Sequence, residues 1–236
     1  DLLHGLAIAY TNMQNVNKAE SYFKKALQIE AKFDIKKNYT IFIIFKKFKY
    51  EVKKDQTWDL GIYESDLKIA LKLLEEVLEE IRETELIPDI LDCKLFSIKV
   101  KYILKMDKKV VLQDIKDVLV FEMCNVDDIV FILGILISYG QHDWALKIIE
   151  ETPEADKNSE IVIMKSELLI IRQEYAKVAN YLENKVSINQ TDTCKLYVYA
   201  LSELKDYEAA DKFINSIEKN LNETKRAILK IIYNSL

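Results

Sequence analysis

Four glycines and two prolines in 236 residues leave little material for tight turns. Sheet proteins of this length need many reverse turns, and those at positive φ draw on glycine. The shortage excludes most all-β designs and leaves long helices joined by short polar connections. Cysteine is also sparse. Cys93, Cys124 and Cys194 are odd in number and far apart, which is not a disulfide framework; they read as reduced core thiols of a cytoplasmic protein. Histidine occurs twice, at His4 and His142, and apart from Asp143 neither has a cysteine or carboxylate at ligand spacing. A metal centre needs several converging ligands, so none is expected. Nucleophile motifs, Walker-type loops and dinucleotide fingerprints are missing as well. The chain reads as a non-enzyme without a cofactor.

Basic excess is absent too. A net charge of −5 argues against general affinity for nucleic acid or anionic membrane. Long hydrophobic runs are missing: the longest, Ile129 to Tyr139, falls short of the roughly 20 residues that span a bilayer. It follows Asn125, Asp127 and Asp128, which suit a helix N-terminus, so it reads as a buried helix. The sequence starts at Asp1 within a helical pattern, without Met, which suggests a fragment of a longer protein whose N-terminal part carries further activity.

What is present is repetition. The segments Gly140–Ala145, Gln173–Val178 and Lys205–Ala210 share one pattern, and the small residues that end them lie 33 and 32 positions apart. Each has an apolar helical stretch on either side, so the unit is a helix–turn–helix of about 33 residues. His142 occupies the turn position that Tyr175 and Tyr207 hold in the later copies, and therefore reads as packing. Near the N-terminus Leu6, Ala7 and Tyr10 share one helical face, and Ala19, Phe23 and Ala26 share another.

These spacings resemble the tetratricopeptide-repeat (TPR) family, in which small residues let paired helices approach while large ones fill the gap. Leu3 stands where the family usually has Trp, and Ala31 where it often has Pro. The likeness is good over 1–34, fair over 127–220 and weak between. It implies one domain over 1–236: an all-α, right-handed α-solenoid of about six antiparallel helix hairpins plus a C-terminal capping helix, Asn222 to Leu236, or about thirteen helices. The middle is stretched, and two longer hairpins are expected at roughly 35–85 and 88–124. Pro88 should start a helix and Pro153 should stop one. Tyr39 to Phe48 has strand-like composition, but reads as helix because a lone strand would leave its backbone groups unpaired.

The resemblance implies a scaffold that binds a protein or peptide on the concave face, along the first helix of each hairpin. Carried over by position, that lane includes His4, Thr11, Glu167, Lys195, Tyr199 and Ser202. One subclass clamps a partner's C-terminal carboxylate with Lys and Asn; here His4 and Ile8 stand instead, which argues against that ligand. A second feature is a basic strip with interleaved aromatics, including Lys46, Lys47, Lys49 and Lys53, followed by a helix rich in glutamate. It could meet an acidic partner, but the favoured reading sets the two helices' opposite charges against each other. The alternative function, from a weaker resemblance, is the regulatory repeat domain of a bacterial peptide-responsive transcription regulator. Oligomeric state is not legible.

Overall fold

The computed structural model describes residues 2–47, 60–81, 87–120, 124–185 and 191–218. Every regular element among them is helical. The chain divides into two compact units, Asp1–Asp128 and Ile129–Leu236, each taken by itself below.

The first unit contains α1 (Leu2–Asn12), α2 (Val16–Ile29), α3 (Phe33–Phe42), α4 (Leu60–Ile81), α5 (Ile87–Ile103) and α6 (Lys108–Leu119). The small residues expected at the tightest contact are there: Ala7 and Ala19 have no exposed surface, and they lie with Phe23, Tyr39, Phe42 and Ile43 in one core. The Phe23 ring sits 5.3 Å from Tyr39 and 5.4 Å from Phe42, distances at which aromatic pairs attract beyond their buried area. A second core joins Leu67, Leu71, Leu74 and Val77 of α4 to Cys93 and Val100 of α5. Full burial of such aliphatic side chains is worth about 1.5–3 kcal/mol each. At 22 and 17 residues, α4 and α5 are the lengthened helices expected in the middle of the chain.

The strand-like stretch is helical as far as it is described. α3 runs to Phe42 and passes into a single π-helical turn, Ile43–Lys47. A π turn fits one extra residue into a helix. Here Phe42, Ile43 and Ile44 are all buried in succession, and Lys47 reaches both α2 and α4.

α7 (Val126–Ser138) carries the boundary between the units. Its start is a reciprocal capping box: the Asp128 amide donates to Asn125 Oδ1 at 3.0 Å, and the Asn125 amide donates to Asp128 Oδ2 at 3.2 Å. The second unit continues with α8 (His142–Glu151), a short 3₁₀ turn at Ala155–Lys157, α9 (Ser159–Ile171), α10 (Tyr175–Leu182), α11 (Thr191–Glu203) and α12 (Tyr207–Glu218). Pro88 is the second residue of α5, and Pro153 follows the C-cap Thr152 of α8, as their backbone restrictions require. Ala179, Leu201 and Ala210 form the core that joins α10, α11 and α12. The expected capping helix from Asn222 lies outside the described residues.

One turn recurs. Gln14, Lys105, Gly140, Gln173 and Lys205 all adopt left-handed backbone, with φ between 54° and 69°. In each case the next amide donates back to the carbonyl five residues earlier, at 2.8–3.0 Å (Asn15 to Tyr10, Met106 to Lys101, Gln141 to Leu136, Glu174 to Leu169, Asp206 to Leu201). This is the Schellman motif, which satisfies the last carbonyls of a helix. In all but the Lys105 case the residue after the left-handed one is itself the N-cap of the next helix, so the reversal is as short as this geometry permits. Glycine is the residue that suits such a position, yet it fills only one of the five.

Candidate functional site

The six lane positions fall into two groups. His4 and Thr11 lie on α1. The His4 ring nitrogen Nε2 is 3.1 Å from the Asn38 amide, and the Thr11 hydroxyl donates to the Ala7 carbonyl at 2.8 Å. Both polar groups thus have partners within the first unit. On α9 and α11, Glu167 is exposed and Lys195 is half-buried, with its ammonium 2.8 Å from Asp192. Tyr199 is half-buried with its ring edge-on to Tyr175 at 6.1 Å. Partial burial, with the Glu203 carboxylate near, raises the pKa of its phenol. Ser202 is buried, and its hydroxyl already donates to the Val198 carbonyl at 2.9 Å, so it packs and presents no group outward. Of the six positions, Glu167 is exposed and Lys195 and Tyr199 are half-buried, the latter two one turn apart on α11.

The basic strip is largely neutralised where it is described. Lys36 is buried and its ammonium lies 2.9 Å from Glu76 and 2.6 Å from Glu80. Lys37 pairs with Asp89 and lies 3.5 Å from Asp92. Lys47 bridges Glu20 at 3.1 Å and Asp66 at 2.6 Å. Burial opposes the charge on Lys36 and Lys47, but the hydrogen bonds to their carboxylates outweigh it and raise both pKa values. The opposite charges of α3 and α4 thus face each other. Lys46 is exposed, whereas Lys49 and Lys53 lie outside the described residues. Beside the Lys47 bridge the Tyr39 hydroxyl is buried without a hydrogen-bond partner among the described residues; burial, then the Glu20 and Asp66 charges, raises its pKa.

None of the three cysteines forms a disulfide, and Cys93 and Cys194 are buried. Burial pushes the Cys93 thiol up to about 11, which keeps it protonated and inert at neutral pH. Among the described residues no group of three or more His, Cys, Asp or Glu is arranged to hold a metal ion, and no helix is long and apolar enough to cross a membrane.

The first unit also holds a cleft of about 250 Å³ that sequence reasoning did not find. α4 contributes Glu75, Leu78 and Glu79; α5 contributes Lys94, Ser97 and Lys101; α6 contributes Asp114 and Asp117. On α5 and α6 these residues sit three or four positions apart, and on α4 Leu78 and Glu79 lie three and four positions after Glu75, so each helix turns one face inward. The periodicity of each face was visible in the sequence. That three faces converge was not, because that depends on how α4, α5 and α6 pack.

No protein-family model matches this chain, and no curated protein is similar enough in sequence to count as a relative.

Proposed function

We propose that this chain is a scaffold that binds a protein or peptide and carries out no chemistry of its own. In this reading its helix pairs are TPR-like hairpins, six in all when α3 and α4 are paired, stacked into a right-handed solenoid. The first helix of each pair presents equivalent positions to a ligand. The observation that supports the reading best is the recurrent Schellman turn. Among the described residues this reversal joins five of the six pairs, with one more residue before the second helix after Lys105, and repeated units of this kind build extended binding surfaces. Within the second unit, Glu167, Lys195 and Tyr199 supply a carboxylate, an ammonium and an aromatic hydroxyl. Such a mixed lane suits an extended or helical peptide, and Tyr is favoured at binding hot spots for its broad face and low entropic cost.

Panning a random peptide library against the chain tests this. The expected result is a convergent set of peptides whose capture falls about tenfold in Lys195→Ala/Tyr199→Ala, with the circular dichroism spectrum unchanged. Failure of the library to converge, or equal capture by the variant, would overturn the lane as the binding surface.

A further inference from the structure

The α4–α5–α6 cleft has a composition that specifies its occupant. Four carboxylates line it against two ammonium groups. One of the four is offset, since Asp114 Oδ2 lies 2.8 Å from Lys101 Nζ. Among the described residues, Asp117 accepts from the uncharged Gln113 amide at 2.8 Å and has no ion-pair partner. Glu75 and Glu79 stand one turn apart on α4, exposed, and neither forms an ion pair with any described residue. Their neighbours in sequence behave otherwise, because Glu76 and Glu80 turn to the buried Lys36.

A second observation points the same way. Ser97 is only 4% exposed, yet it lines the cleft, and no hydrogen bond joins its hydroxyl to another described residue. A hydroxyl so placed, on a largely buried side chain that opens onto the cleft, can exchange a hydrogen bond with an occupant. Leu78 adds an apolar patch to the α4 wall. The volume lies below the roughly 300–1,000 Å³ of sites that enclose drug-sized molecules or cofactors, so it suits one side chain.

A cationic head group on an aliphatic stem meets all of these conditions. The stem packs on Leu78, as long basic side chains do on apolar surface. The head reaches Glu75 or Glu79 on one wall and Asp117 on the other. Arginine fits better than lysine, for its planar fork holds five donors, pairs bidentately with carboxylates and is the more weakly hydrated of the two. We propose that the cleft is a receptor for a single arginine side chain projecting from a peptide partner. This rests on the reading of the chain as a peptide-binding scaffold, and adds a charge requirement that the α9–α11 lane does not carry.

The test uses the full chain labelled with nitrogen-15 and two capped probe peptides, Gly-Ser-Arg-Ser-Gly and the same sequence with citrulline, the uncharged isostere, in place of arginine. The arginine probe should shift the amides of Glu75, Glu79, Ser97, Lys101 and Asp117 in a saturable way. Citrulline should weaken binding about tenfold, and Glu75→Gln/Glu79→Gln should do the same. Both glutamates are exposed, so that variant keeps the fold. Ser97→Ala should cost about threefold, and added salt should weaken the arginine probe alone. Equal shifts from the citrulline probe, or no saturable shift up to the solubility of the arginine probe, would overturn the proposal. So would magnesium ions that shift the same amides and displace the peptide, since the cleft would then be a simple cation trap. Library capture through Lys195 and Tyr199 is read separately, so either reading can fail while the other stands.

Discussion

The two units fix the mutual placement of their helices by different means. In the first, charged groups distant in sequence do much of it: Lys36 joins Glu80 across 44 residues, Lys37 joins Asp89 across 52, and Lys47 joins Glu20 across 27. In the second unit most ion pairs are local, such as Lys177–Glu174, Lys195–Asp192 and Lys212–Glu208, each within one turn. Its long-range polar links, Asp156 with Tyr181 and Lys185 and Asp143 with Arg172, lie at the surface. The difference follows the repeat. Where units of about 33 residues recur, the turn sets the register of each pair; where helices are lengthened and a π turn intervenes, half-buried ammonium groups set it. Such pairs are weak evidence for stability, but they select one packing over others.

The largest expected effect comes from breaking the aromatic core of the first unit. Phe23→Ala should cost about 3–5 kcal/mol. Amide hydrogen exchange should place the loss in residues 2–47, where Phe23 meets Tyr39 and Phe42. If exchange rose as much across 191–218, the division into two units would be at fault.

A smaller effect separates the units by pH. Burial works against the Glu20 charge, but hydrogen bonds from Lys24 and Lys47 outweigh it and hold its pKa below the ordinary value. The stability this supplies is full above the unfolded pKa of about 4.3, and is lost as pH falls through the lower folded value. The raised pKa values of Lys36 and Lys47 act in the opposite direction: their contribution is full below about 10.4 and is lost as pH rises through the folded value. Lys47→Met should remove part of this acid dependence, about 1 kcal/mol, as read by urea midpoints at neutral and acid pH, because Lys24 still holds the Glu20 carboxylate. Asp156 also has a lowered pKa, from its bond with Tyr181 first, but its side chain is 52% exposed and its dependence should be weaker.

The smallest effect probes the turns. Gln173→Gly and Lys205→Gly should each stabilise by about 0.5–1 kcal/mol, because glycine adopts the left-handed region without a Cβ penalty. Gly140→Ala should destabilise by about 1 kcal/mol. An added Cβ there meets nothing within 4 Å, so the backbone penalty acts alone. Opposite signs in denaturant midpoints are the expected result; the same sign for all three would mean that the motif is not what sets these turns.

Much of this was written in the chain and some was not. The scarcity of glycine excluded sheet turns, but it did not exclude positive φ: Gln14, Lys105, Gln173 and Lys205 adopt it regardless. The motif around residues 140, 173 and 205 was legible because its flanking helices repeat. The same turn at Lys105 was hidden by the stretched helices around it. Tyr39 to Lys47 was readable as helix by elimination, but not as a π turn, since apolar periodicity does not register one inserted residue. Lys195 and Tyr199 share a face by simple spacing, as expected. Ser202 failed as a surface residue because, three positions beyond Tyr199, it is already buried, and a serine hydroxyl in a helix can bond its own backbone.

The recurrent turn also bears on the order of events in time. A reversal made within one residue of the helix end brings its two helices together at minimal loop-closure cost, so each such pair can form early and by itself. Growth can then start at any of these pairs and spread to the helices packed against it within its unit, as it does in repeat arrays. The bridges from Lys36 to Glu80 and from Lys37 to Asp89 require α4 and α5 to be in place first, and so close last. The regular pairs should therefore regain amide protection ahead of α3 and α4 when the chain refolds.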